Sequence, residues 1–104
     1  MAPMARTPLT LLALAICTGP VETRAQFDAQ RQQAQCELSH IGDTRAPLAV
    51  DWIRTACNRL AIDGGFMDES NRNFHRCLLQ SLPGSQSDAA ANAIISACRT
   101  SYPP

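Results

Sequence analysis

Residues 36–57 read CELSHIGDTRAPLAVDWIRTAC, and residues 77–98 read CLLQSLPGSQSDAAANAIISAC. Each stretch opens and closes on a cysteine with twenty residues between, and the second lies 41 positions after the first. Aligned by cysteine, Cys36, Leu38, Ile41, Ala49, Ile53, Ala56 and Cys57 fall opposite Cys77, Leu79, Leu82, Ala90, Ile94, Ala97 and Cys98. Turn formers stand at matching places, Gly42-Asp43-Thr44 in one half and Pro83-Gly84-Ser85 in the other. The repeat describes two helical hairpins with one cysteine per helix. Neither hairpin buries an apolar stripe alone, so the two are expected to stack.

Working outward, the chain reads as all-α, with four short helices and almost no strand signal. The first carries Phe27, Ala34, Leu38 and Ile41 at helical spacing, with Gly42 placed for a left-handed C-terminal cap. Asp43 and Thr44 are N-cap candidates for the second, with Pro47 in its first turn. That helix sets Trp52, Ile53, Ala56 and Leu60 on one stripe, until Asp63-Gly64-Gly65 stops it. Asp68 can cap a third helix built on Phe74, Leu78 and Leu82, ended by Pro83-Gly84. Ser85 or Ser87 can cap a fourth carrying Ala90, Ile94, Ala97 and Tyr102.

The N-terminus indicates the compartment. Arg6 supplies a positive n-region, Leu9–Cys17 an apolar run, and Thr23-Arg24-Ala25 a cleavage site before Gln26. The apolar run is far shorter than the ~20 residues that span a bilayer, so residues 1–25 read as a cleaved signal peptide rather than an anchor. Lipid attachment at Cys17 is disfavoured by Ile16, where such signals want a small residue. Cys17 leaves with the signal, and five cysteines become an even four.

The remaining residues, 26–104, number 104 − 25 = 79 and make a single domain. A chain of that size buries only ~60% of its unfolded surface and is marginal without staples. Two disulfides, each closing a loop of about 20 residues, would contribute roughly 3 kcal/mol apiece in the chain-entropy model. An oxidising compartment, periplasmic or extracellular, agrees with that use of cysteine. Four cysteines allow three pairings, and spacing alone does not choose among them. The repeat favours Cys36 with Cys57 and Cys77 with Cys98, partners in adjacent antiparallel helices. The rival joins Cys57 to Cys77 and Cys36 to Cys98. In the favoured pairing each first cysteine stands closer to its bend than its partner does. At 1.5 Å per residue the heights disagree by around 7 Å unless the second helix overhangs the first.

Several function classes are excluded as expectations. The segment after Ala25 carries seven Arg and eight Asp or Glu, a net 7 − 8 = −1, and the chain has no lysine. Scattered Arg on a near-neutral chain is not the clustered field of a nucleic-acid or anionic-membrane binder. Of the four cysteines after Ala25, no two are closer than Cys57 and Cys77, whereas structural zinc sites take ligands in close pairs. Cys36 with His40, and His75 with Cys77, are the only ligand combinations to weigh; a disulfide reading of the cysteines is preferred, with no metal and no cofactor. The carboxylates Asp43, Asp51, Asp63, Asp68 and Glu69 are not gathered with His40 or His75 by any motif, so no catalytic residue is assigned. An enzyme, such as a small hydrolase, would need a cleft where one of those histidines meets a carboxylate. Gln26–Gln35 is glutamine-rich and reads as a polar helical face. Trp52, the sole tryptophan, is expected to anchor the core with Phe74; left exposed, it would mark a partner-binding site.

Residues 73–103 carry a resemblance. Asn73-Phe74-His75-Arg76-Cys77-Leu78-Leu79 leads through Pro83-Gly84-Ser85 and Ser87-Asp88 to Ala97-Cys98-Arg99 and Tyr102-Pro103. The segment resembles one in small exported bacterial four-cysteine proteins of unknown function. The resemblance implies a bacterial exported protein and supports Cys77 pairing with Cys98; it implies no activity. The expectation is a small exported helical protein with a binding or structural role. It could serve as an inhibitor or chaperone-like protein acting on a cell-envelope or secreted partner.

Overall fold

The structure, a computed structural model, describes residues 21–104. Most of the expected signal segment, Cys17 included, lies outside the described residues. Four helices follow in order: α1 Val21–His40, α2 Pro47–Asp63, α3 Glu69–Ser81 and α4 Asp88–Ser101. Among the described residues there is no strand, and no helix is long and apolar enough to cross a membrane.

The two halves repeat residue for residue. In each, the first cysteine stands four residues before its helix ends, at His40 or Ser81. Each connection is six residues long, 41–46 and 82–87, and the second cysteine lies ten residues into the next helix. Backbone bonds repeat at the same offset. Ile41 N–H donates to Glu37 as Leu82 N–H does to Leu78, and Thr44 N–H to Ile41 as Ser85 N–H does to Leu82. The disulfides are Cys36–Cys57 and Cys77–Cys98, each with Cα atoms 5.7 Å apart.

The height mismatch is met by an overhang. Six residues of difference between the two arms amount to ~9 Å of helix, so α2 begins well beyond the end of α1. The protruding first turns of α2 do not lie bare. Ala46 and Ala49 are fully buried there, against the turn that joins α3 to α4. α2 is thus the central helix, packing on α1, α3 and α4 alike. Its Ala49, Ile53, Ala56 and Cys57 meet Phe74, Leu78 and Leu82 of the α3 side and Ala91, Ile95 and Cys98 of α4.

Two expected stripes turn differently. On α1, Phe27 is 62% exposed and Leu38 82% exposed, with Ala34 also on the outside. The half-buried positions are Ala29, Gln33, Cys36, Glu37 and His40, on the opposite side of the helix. The cause is Cys36: at 100° per residue it projects nearly opposite Phe27 and Leu38, and its bond to Cys57 turns that side toward α2. On α4 the buried stripe is Ala91, Ile95 and Cys98 instead of Ala90, Ile94 and Ala97. Here too the face that carries the cysteine is the one that turns inward. Tyr102 is exposed, past the helix end. The α3 stripe of Phe74, Leu78 and Leu82 is buried as expected, and on α2 Ile53 and Ala56 are buried with Trp52 and Leu60 half-covered.

The caps divide in the same way. Asp68 accepts from Asn71 N–H at the start of α3, and Ser87 from Ala90 N–H at the start of α4. At α2 neither Asp43 nor Thr44 is the cap; Ala46 holds that position and has no side-chain acceptor. Gly42 does not take the left-handed conformation either. Gly84, with φ 86°, is the one residue of the described chain that does, in the α3–α4 turn.

Candidate functional site

Trp52 is half-buried and engaged. Its ring meets Phe74 edge-to-face, with centroids 6.3 Å apart and planes at 89°. The Arg99 guanidinium stands 5.8 Å from the Trp52 centroid and 5.9 Å from that of Phe74. Such a cation over two rings contributes in the range of ~0.5–1 kcal/mol at a solvent-facing site. Trp52 and Phe74 therefore anchor α2 to α3, and α4 covers them with Arg99. The docking role considered for Trp52 would have to work around that cover.

Each histidine sets its Nδ1 against a backbone carbonyl of its own helix. His75 is buried, its Nδ1–H donating to the Asn71 carbonyl at 2.9 Å and its ring edge-on to Phe74 at 5.1 Å. His40 is half-buried on the last turn of α1, with Nδ1 2.6 Å from the Cys36 carbonyl and 3.8 Å from Cys36 Sγ. The i,i+4 step along one helix face brings His40 back over its own cysteine.

Several carboxylates hold structure. Asp68 caps α3, and Asp88 accepts from Leu48 N–H of α2 at 3.1 Å. Glu37 pairs with Arg54 at 3.1 Å across α1 and α2, and Asp63 with Arg59 at 3.4 Å along α2. The glutamine-rich stretch lies within α1, where Gln33 accepts from the Asn58 amide at 3.0 Å.

The surface that stands out is the outer side of α1. Phe27, Ala34 and Leu38 lie exposed within one narrow sector of the helix, away from α2, while Ile41, just past the helix end, is half-buried against the core. Beside Leu38 opens a groove lined by Ala34, Glu37, Leu38, Ile41, Gly42 and Arg54. Its floor is apolar and the Glu37–Arg54 pair lies along it. The apolar spacing that predicts Phe27, Ala34 and Leu38 on the core side is not followed, while Ile41 does pack on the core. The signal that points the other way was present: a cysteine bonded to α2 must face α2, and Leu38 lies two residues, or 200°, further round.

Four cysteines at two equal spacings, closed into two hairpin disulfides, are the defining geometry of this chain. Residues 12–102 match the sequence model described as four-cysteine protein VF_A0006-like. The chain belongs to that family. Neither a curated protein nor a solved structure matches it. The family description agrees with the four cysteines and names no activity.

Proposed function

We propose that this four-cysteine protein is exported, to the periplasm or beyond, and works as a small binding module rather than an enzyme. Its docking surface is the outer side of α1. The observation that carries the reading is the outward setting of Leu38 and Phe27 on a helix whose other side is bonded to α2. Leu38 and Ala34 beside the apolar groove make a local exposed apolar patch, a feature of interaction sites. The disulfides suit an oxidising compartment. A helix laid along an envelope protein by this face would act as an inhibitor or a chaperone-like clamp.

The test is capture from a cell-envelope extract on the immobilised oxidised protein, alongside Leu38→Glu. The wild-type chain should retain a partner in stoichiometric amount. The variant should lose it while keeping its helical circular dichroism and both disulfides. Equal retention by the two proteins would remove the α1 surface from the account.

A further inference from the structure

We propose that Cys36, Cys57 and His40 form a zinc site which the Cys36–Cys57 disulfide closes and its reduction opens. The two sulfurs and one imidazole nitrogen lie within 4.8 Å of one another, the one cluster of three such ligands among the described residues. Tetrahedral zinc takes thiolate sulfur at ~2.3 Å and imidazole nitrogen at ~2.0–2.1 Å, which places S and N about 3.6 Å apart and two sulfurs about 3.8 Å apart. His40 Nδ1 already stands 3.8 Å from Cys36 Sγ. The sulfur–sulfur gap has to widen and the His40 ring has to turn from the Cys36 carbonyl toward both sulfurs, and sulfurs no longer bonded separate of their own accord.

The repeat contains its own comparison. The position equivalent to His40, 41 residues on, is Ser81, so the Cys77–Cys98 pair has no third ligand of this kind. Access differs between the members of the first site as well. Cys36 and His40 are half-buried and reachable, while Cys57 is buried. No α1 side chain among the described residues belongs to the fully buried core, so the end of α1 can shift slightly as the sulfurs part.

The chemistry balances with a dithiol as reductant. It gives two electrons and two protons; the Cys36–Cys57 bond breaks, two thiols form, and the dithiol becomes a disulfide. Zinc then displaces both thiol protons to solvent and bonds two thiolates and one neutral imidazole. If it takes Nδ1, the contact with the Cys36 carbonyl is given up and the ring proton resides on Nε2. Two thiolates neutralise the ion, and a fourth position stays open to water or a ligand from solution. In the oxidised protein the sulfurs are bonded to each other and cannot serve as thiolates.

The experiment reduces the oxidised protein with a phosphine, removes the reagent, and titrates Zn2+ against a chromophoric chelator. Alkylation with iodoacetamide and peptide mapping then report which cysteines the metal protects. One zinc per chain is expected, slowing alkylation of Cys36 and Cys57 about tenfold or more and leaving Cys77 and Cys98 reactive. His40→Ser, which installs the residue of the second hairpin, should weaken zinc binding by about tenfold or more, the low end of what even an outer-shell change costs. Mapping identifies the ligands whether or not the reduced chain keeps its helices. Protection shared equally by all four cysteines, unchanged affinity in His40→Ser, or zinc held by the oxidised protein would each overturn the site.

Discussion

Thr44 and Ser85, which occupy equivalent places in the two repeats, are bonded to each other. The Thr44 hydroxyl donates to the Ser85 carbonyl at 2.7 Å, and Arg45 N–H donates to the same oxygen at 3.0 Å. The Thr44 oxygen also accepts from Ala46 N–H at 3.1 Å, tightening the entry to α2. The hairpins therefore meet at their turns. This is where the overhang of α2 protrudes, and the Ser85 carbonyl of the α3–α4 turn accepts from both Thr44 and Arg45.

Asp88 shows what that meeting is worth. It begins α4, yet its carboxylate accepts from Leu48 N–H in the first turn of α2, whose own cap position is Ala46. Asp88→Ala should cost about 1 kcal/mol, the usual loss for a helix cap. Asp88→Asn keeps an acceptor and should recover most of it. Urea unfolding of the three proteins measures the difference; an unchanged midpoint for Asp88→Ala would mean that the contact contributes nothing.

Leu38 and Leu78 should respond oppositely to substitution. Leu78 is fully buried between helices, and Leu78→Ala should destabilise by ~2–5 kcal/mol through lost transfer energy and the cavity left behind. Leu38 is largely in solvent, and Leu38→Glu should stay within about 0.5 kcal/mol of wild type. Denaturant midpoints decide. A Leu38→Glu loss as large as that of Leu78→Ala would place the α1 outer face in the core after all.

The disulfides hold different things. Removing Cys36–Cys57 by alanine at both positions should free α1, which has no fully buried side chain among the described residues, while α2, α3 and α4 keep their core. Amide exchange should rise along α1 and remain slow in the interior of α2. Removing Cys77–Cys98 should instead lower global stability by about 3 kcal/mol in the chain-entropy model. Non-reducing peptide mapping of the native protein should give Cys36–Cys57 and Cys77–Cys98. A peptide joining Cys57 to Cys77 would contradict the hairpins.

Processing can be read by mass. If the signal ends at Ala25, exported protein starts at Gln26, free or cyclised to pyroglutamate. α1 runs through that point from Val21, so cleavage would leave Gln26–His40 with Cys36 and the half-buried Ala29, Gln33, Glu37 and His40. An intact mass that retains residues 1–25 would exclude cleavage and return attention to a membrane anchor.

Much of this architecture is local and therefore legible in the chain. Two turns at a fixed offset and N-caps at Asp68 and Ser87 depend on neighbours a few positions away, and with the cysteine repeat they favour four helices paired as hairpins. The rotation of each helix about its axis is another matter. Hydrophobic spacing proposed one face for α1 and another for α4, but a disulfide admits only the face that carries its cysteine, and that covalent constraint outweighs a weak apolar stripe. The cap that Asp88 lends to α2, and the closing of Thr44 on Ser85, link positions 40 and 41 residues apart. No local preference encodes such contacts. They exist because the overhang of one hairpin comes to rest on the turn of the other, and only the packed tertiary structure brings those groups within bonding distance.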